Sequence, residues 1–140
     1  MDEGSIFLDT NVLLDILLGR EVGKASDVVF EAASAKGIKM YISAPGLATA
    51  FYVAQRVMPM RVAYDLVASV YPNFDVVGQD KKDVDEAFAL PIPDLEDALQ
   101  YQAARKAKCM AVLSRDIAFQ NLGLTEPEVL SPEVALSRFF

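Results

Sequence analysis

The chain contains no histidine and a single cysteine, and these two shortages exclude several classes of enzyme. A Ser/His/Asp or Cys/His triad, a histidine zinc site and a histidine general base all require an imidazole. Cys109 lies in the apolar run CMAVLS, which predicts a buried structural thiol, and one cysteine cannot form an intramolecular disulfide. Hydrolytic chemistry in this chain must therefore use carboxylates, lysine or a metal ion.

Long apolar runs and an excess of positive charge are also lacking. No apolar run reaches the roughly 18 residues needed to span a bilayer, and residues 1–5 are acidic, unlike the basic start of a signal peptide. We therefore expect a cytoplasmic protein with no membrane partner. The net charge of −7 disfavours non-specific binding to a polyanion, because nucleic-acid-binding proteins usually present a basic surface.

The sequence does contain the pattern of an α/β domain. Its 140 residues, 53% of them hydrophobic, are enough for a single domain (1–140) with a substantial core. Short apolar runs alternate with longer segments of helical periodicity, which predicts a mainly parallel sheet. The runs are SIFLD, IKMYIS, FDVV, CMAVLS and EVLS. In the second predicted helix, Ala25, Val28, Val29 and Ala32 share one face, which we expect to be buried.

Acidic residues follow two of the predicted strands. Asp9 ends the first strand, and Asp116 lies in the loop after the strand in MAVLSRD. Ligands of open parallel sheets bind at the carboxyl ends of the strands. Asp94 and Asp97 lie in the first turn of a predicted helix, where the helix dipole favours negative charge. On its own, Asp94 is explained as an N-cap and Asp116 as a turn residue, so their combination with Asp9 indicates the site.

Such a grouping of carboxylates requires a counter-ion. Carboxylates within a few ångströms of one another repel, and they protonate in part unless a cation neutralises them. Mg²⁺ or Mn²⁺ is the natural partner, since these ions take oxygen ligands and need neither histidine nor cysteine. A divalent ion lowers the pKa of a bound water so that the water can attack phosphorus, and it stabilises charge on the phosphate oxygens.

Three motifs together carry a resemblance to a known family. They are IFLDTNVLLDILLGRE, YISAPGLATAFYVAQR and DLEDALQYQAARKAKCMAVLSRDIAF. From about residue 5 to residue 140 the chain resembles a PIN domain, the small metal-dependent ribonuclease fold of many bacterial type II toxins. The resemblance implies a three-layer α/β/α fold, with a central parallel sheet of about five strands flanked by helices. It also implies a metal-dependent endoribonuclease that cleaves RNA with Mg²⁺ or Mn²⁺, a homodimer, and an antitoxin protein as partner.

The resemblance also assigns roles to single residues. Asp9, Asp97 and Asp116 correspond to acids that bind the metal ion and are catalytic. Asn11 corresponds to the asparagine that orients the first aspartate, and Thr10 beside it is predicted to orient the site as well.

Contacts with the RNA substrate are predicted near the third motif. We expect Arg115 and Ser114 to bind substrate. Other cations that could hold phosphates are Arg105, Lys106, Lys108, Arg56 and Arg61. The basic group at residues 105–108 is equally typical of a helix C-terminus, where cations complement the dipole.

The sequence departs from the family pattern at one position. The family's second acid is a glutamate on the helix after the second strand, and this chain has Thr49 there. Asp94 and Asp15 are the nearest acidic residues that could compensate, and Asp94 would then be a further metal ligand. The departure leaves an alternative function open, in which a catalytically impaired PIN-like domain binds RNA or a protein partner without cutting.

Two other classes of phosphate-handling protein fit the sequence poorly. A phosphoaspartyl phosphatase requires a second aspartate two residues after the first, and Asn11 stands at that position. A receiver domain requires an acidic pair upstream of its phosphorylated aspartate, and SIFLDT offers none. The choice is therefore between an active PIN-type ribonuclease and a non-cutting relative.

Overall fold

The computed structural model describes residues 4–140, so most of the acidic start from which we argued against a signal peptide lies outside the described residues. A sheet of five strands is formed in the order β3-β2-β1-β4-β5, and every pairing is parallel. The strands are β1 (Ser5–Leu8), β2 (Lys39–Ser43), β3 (Asp75–Val77), β4 (Ala111–Leu113) and β5 (Glu128–Leu130). Each lies within one of the five apolar runs, which confirms the predicted fold class.

The helices cover both faces of this sheet. They are α1 (Thr10–Leu18), α2 (Lys24–Lys36), α3 (Ala44–Ala54), α4 (Met60–Val70), α5 (Lys81–Phe88), α6 (Leu95–Lys106), α7 (Ile117–Gln120) and α8 (Pro132–Phe139). Ile6 and Leu8 of β1 point into one apolar core, and Phe7 between them points into the other. Within residues 4–140, no helix is long and apolar enough to cross a membrane.

The buried face of α2 differs from the predicted one. Ser26, Val29 and Ala33 are buried, whereas Val28 is 45% exposed. The physical reason is a polar contact: the hydroxyl of Ser26 donates a hydrogen bond of 2.9 Å to the Asp15 carboxylate. Periodicity alone places only apolar residues inside, so it could not detect a serine turned inward to satisfy a buried acid.

The single cysteine agrees with its predicted structural role. Cys109 is buried and free. Burial raises the pKa of its thiol to about 11, so the reactive thiolate is disfavoured near neutral pH.

Strand order determines where a ligand site can form. β1 is central, with β2 on one side and β4 on the other, so the sheet is built outward in both directions from β1. The strand order therefore reverses at β1, and open α/β sheets bind ligands beside the carboxyl ends of the strands at such a point. Asp9 follows β1 directly, and its backbone N–H donates to the carbonyl oxygen of Leu113 at the end of β4, at 2.9 Å. The first predicted site residue therefore lies where the carboxyl ends of β1 and β4 meet.

Candidate metal centre

Asp9 is a buried carboxylate that is fixed at both oxygens. It is the N-cap of α1 and only 4% exposed. Its Oδ1 accepts from the Thr10 backbone N–H at 2.8 Å. Its Oδ2 accepts from the Ser114 hydroxyl at 2.6 Å and from the Asn11 side-chain amide at 3.1 Å. All these donors are neutral, so they orient the carboxylate without cancelling its charge.

The loop after β4 is tied to the same carboxylate. Asn11 Oδ1 accepts from the Arg115 backbone N–H at 3.1 Å, and Ser114 Oγ accepts from the Asp116 backbone N–H at 3.0 Å. Ser114 is completely buried. In this structure its hydroxyl orients Asp9, and its predicted contact with substrate stays a prediction. The position of Asn11 agrees with its predicted orienting role.

The start of α6 brings further acids to this place. Asp94 is the N-cap, and its Oδ1 accepts from the Asp97 backbone N–H at 2.9 Å. Burial and, after it, the negative charges of Asp9, Asp94, Asp116 and Glu96 together raise the pKa of Asp97 to about 7. Asp9 of the first motif and the acids of the third motif thus lie within electrostatic reach of Asp97.

The cluster carries negative charge that no nearby cation balances. Burial raises the pKa of Asp9 above its ordinary value, and the charge of Glu96 adds to this, whereas the hydrogen bonds from Ser114 and Thr10 lower it. Across residues 4–140, neither Asp9 nor Asp97 forms an ion pair with lysine or arginine. Such an arrangement favours binding of an external cation.

Sequence reasoning missed two residues of this cluster, Glu96 and Gln100. Thr10 Oγ1 donates to Glu96 Oε1 at 3.0 Å, and Gln100 Nε2 lies 3.2 Å from each of these oxygens. Gln100 is buried, and its Oε1 has no hydrogen-bond donor among the described residues. The available signal was the spacing, since Glu96 and Gln100 are four apart on a helix and Glu96 adjoins Asp97.

Asp15, a candidate replacement for the missing acid, is already neutralised. It is completely buried, and Arg115 holds it through Nε at 2.6 Å and through Nη2 at 2.9 Å. Ser26 donates to it as well, and Arg20 lies 3.9 Å away. Asp15 therefore does not compensate for the acid absent at Thr49. The predicted contact of Arg115 with RNA stays a prediction, although its guanidinium is engaged here.

The basic end of α6 lies away from the site. The helix begins beside Asp97, and its 12 residues span about 18 Å at 1.5 Å each. Lys106 at its far end donates to the Asp83 carboxylate at 2.6 Å. Arg105, Lys106 and Lys108 therefore lie about a helix length from the acids, and their predicted contact with substrate phosphates stays a prediction.

Helix α3 borders the cluster but adds no charge to it. A Cβ atom on Gly46 would lie 3.3 Å from Thr10 Oγ1, so this turn of α3 adjoins the site. Thr49 is three residues further on, on the same face of the helix. No residue of α3 is acidic.

The side chains around Asp9 fit a hard divalent ion in donor chemistry and charge, since they offer carboxylate and amide oxygens. The unpaired Gln100 Oε1 marks a place where a further polar partner would be favourable. Within the described part of the chain, however, no three acidic side chains are close enough to form a ready-made set of metal ligands. A bound ion must therefore draw the carboxylates together or take only one or two of them, as Mg²⁺ commonly does with waters completing its shell.

Comparison with known proteins identifies the family of this chain. A family model described as PIN domain matches residues 5–118, which is most of the chain. The chain belongs to the PIN-domain family. One curated relative is "Ribonuclease VapC1" of Aquifex aeolicus (strain VF5), which is 28% identical over 145 residues and is matched over 99% of this chain and 98% of the relative.

Solved structures share the fold of this PIN domain. VapBC2 from Rickettsia felis, bound to a promoter DNA fragment, superimposes with a TM-score of 0.70 and 15% identity, covering 91% of this chain and 97% of that one. A toxin–antitoxin complex from Klebsiella pneumoniae gives 0.67 and 18%, with the same coverage. VapC20 of Mycobacterium tuberculosis, a Sarcin-Ricin loop cleaving toxin, gives 0.67 and 17%, covering 86% and 97%. These likenesses confirm the predicted three-layer fold.

Proposed function

We propose that this PIN domain is a metal-dependent endoribonuclease that cleaves RNA phosphodiester bonds. The observation that carries the proposal is the state of Asp9, a buried carboxylate fixed by neutral donors and surrounded by further acids. A fold needs no such uncompensated charge, but a cation site does. The curated relative from Aquifex aeolicus, which spans the same length, is named a ribonuclease.

The ion would be Mg²⁺ or Mn²⁺, held by Asp9, Asp97 and Asp116 with Asp94 as a further candidate. When bound, such an ion lowers the pKa of a water for attack on phosphorus and stabilises negative charge on the phosphate. The chain's own contribution is orientation. Asn11 fixes Asp9 Oδ2 and, through its Oδ1, the backbone of the loop that carries Asp116.

Cleavage of a labelled RNA by the purified protein tests this proposal. We expect cleavage with Mn²⁺ or Mg²⁺, none with EDTA, and at least a hundred-fold slower cleavage by Asp9→Asn, because the amide keeps the shape but not the charge. Glu31→Gln, on the exposed surface of α2, is the matched control and should cleave normally. Unchanged cleavage by folded Asp9→Asn protein would overturn the proposal.

We infer an antitoxin protein as partner. The support comes from solved structures that share the fold, since two of them are described as VapBC2 and as a toxin–antitoxin complex. Co-expression with the product of an adjacent small reading frame, followed by co-purification, tests this. The homodimer and the cytoplasmic location stay predictions.

A second function is favoured by the composition of α3. Since this helix carries no acid and has Thr49 at the family's glutamate position, a domain that binds RNA or a protein without cutting is the alternative. Calorimetric titration with Mn²⁺ separates the two. A catalytic site binds the ion and cuts, whereas an impaired site binds RNA without metal-dependent cleavage.

A further inference from the structure

Three of the elements around the candidate site supply acids, and a fourth, α3, supplies none. Asp9 follows β1, Asp116 follows β4, and Asp97 lies on α6, whereas α3 adjoins Thr10 and supplies no carboxylate. A site with one acid fewer binds a divalent cation more weakly, because each carboxylate adds both charge and an oxygen ligand. Another carboxylate near Asp9 would remove this deficit.

Glu96 is held beside Asp9 by specific contacts. Thr10 links the two acids, because its backbone N–H donates to Asp9 at 2.8 Å and its hydroxyl donates to Glu96 Oε1 at 3.0 Å. Gln100 donates to the same Glu96 oxygen at 3.2 Å. No lysine or arginine among the described residues pairs with Glu96. An exposed glutamate that only capped a helix would need neither contact.

Gln100 provides a second and independent observation. It is 1% exposed, and its side chain is aimed at this cluster, since Nε2 lies 3.2 Å from both Thr10 Oγ1 and Glu96 Oε1. Its Oε1 is the one buried side-chain polar atom of residues 4–140 that lacks a hydrogen bond. Burying an unpaired amide oxygen is costly, so an unpaired oxygen on the same amide that contacts Glu96 favours a further polar partner beside this cluster.

We propose that Glu96 supplies the fourth carboxylate of the metal site, held in place by Thr10 and Gln100, and takes over the role that α3 lacks at Thr49. This inference rests on the proposed function. It makes α6 the source of two adjacent acids, Glu96 and Asp97, and it explains why a PIN domain can keep a cation site without an acid on α3.

Mn²⁺ titration of charge-neutral variants tests the role of Glu96. Glu96→Gln keeps an acceptor oxygen for Thr10 and removes a repelling charge, so the metal-free melting temperature should not fall while Mn²⁺ affinity falls about ten-fold or more. Glu31→Gln changes the same charge on α2 and should bind Mn²⁺ like the wild type. Wild-type affinity in Glu96→Gln, or an equal loss in Glu31→Gln, would overturn the inference.

A rescue experiment separates a ligand from a merely structural residue. If Glu96 replaces the acid missing from α3, then Thr49→Glu should restore Mn²⁺ affinity in the Glu96→Gln background. Thr10→Val should weaken Mn²⁺ binding because it removes the hydroxyl that holds Glu96. Thr10→Ser keeps a hydroxyl at this position and should restore Mn²⁺ binding. Failure of both restorations would show that Glu96 acts only by packing and would overturn the inference.

The Asp9→Asn variant distinguishes this failure from failure of the proposed function. If Asp9→Asn loses Mn²⁺ binding and RNA cleavage while Glu96→Gln keeps both, the metal site stands and the role of Glu96 is refuted. If the wild type neither binds Mn²⁺ nor cleaves RNA, both the proposed function and this inference are refuted.

Discussion

Asp9 and Asp15 are buried carboxylates at the start and in the middle of the same helix, and their surroundings are opposite. Asp15 is paired with Arg115 and Arg20 and receives a hydrogen bond from Ser26. Asp9 receives only neutral donors and lies beside other acids. Burial alone therefore does not distinguish the two acids, whereas the presence or absence of a cationic partner does.

Arg115 joins these two regions. Its guanidinium holds Asp15, and its backbone N–H donates to Asn11, which in turn holds Asp9. The buried ion pair therefore anchors the loop that borders the candidate metal site. The paired acid Asp15 and the candidate metal ligand Asp9 thus depend on one residue, which the sequence suggested only as a contact to RNA.

Asp15→Ala should have the largest effect on stability. It leaves the partly exposed Arg115 without its partner, and removing one member of a buried ion pair costs about 3–5 kcal/mol. We expect about 3 kcal/mol from urea unfolding, because Arg115 retains some contact with solvent. Asp85→Ala breaks an exposed pair with Lys81 on α5 and, as the control, should change stability by less than about 1 kcal/mol. Equal losses would show that the Asp15 pair is no stronger than a surface pair.

Much of the fold was predictable from local pattern. The five apolar runs became the five strands, because a buried parallel strand needs a short continuous apolar segment. The inward face of α2 was not predictable, since it depends on Ser26 reaching Asp15 across 11 residues. Helix α7 was also missed, because its four residues are too few to show a period.

The site was predictable only in part. Asp9 and Asp116 could be placed because they follow strands, and strand ends meet at one edge of a parallel sheet. Glu96 could not, because its contact with Thr10 joins residues 86 apart and depends on the rotation of α6. The engagement of Arg115 by Asp15 was hidden for the same reason, since 100 residues separate them.

Gly23→Ala tests how closely the buried Asp15 ion pair is packed. A Cβ atom at Gly23 would overlap the Asp15 side chain, so the substitution should displace the ion pair and cost about 1–3 kcal/mol, as overpacking commonly does. Gly78→Ala is the matched control, because nothing lies within 4 Å of its added carbon. Thermal unfolding of both proteins checks this. Equal stability of the two variants would contradict the close packing at Asp15.

Asp94→Ala tests which acids of α6 serve the helix and which serve the ion. It removes an N-cap and should cost about 0.5–2 kcal/mol of stability while Mn²⁺ binding persists. Asp97→Asn should have the reverse profile, with weak Mn²⁺ binding and nearly unchanged stability at acidic pH. An equal loss of Mn²⁺ binding in both variants would instead make Asp94 a ligand.

The smallest expected effect is a pH dependence of stability in the metal-free protein. Burial and neighbouring acids raise the pKa of Asp97 to about 7, whereas its ordinary value is 3.8. Between these two values the folded state binds more protons than the unfolded state, so stability should fall as pH rises from about 4 to about 7 and level off above that range. The slope should be gentle, because Asp97 is partly exposed and solvent screens its neighbours.

Saturating Mn²⁺ should reverse this slope, because the ion binds the ionised carboxylate and its stabilisation grows as Asp97 loses its proton. Asp97→Asn should flatten the metal-free slope and weaken the response to Mn²⁺, whereas Asp15→Asn should destabilise the protein without flattening that slope. Melting temperatures from pH 4 to pH 8, with EDTA and with Mn²⁺, measure both effects. If the wild type loses no stability over this range without metal, the acids around Asp9 do not repel one another, and the contrast between the two buried carboxylates disappears.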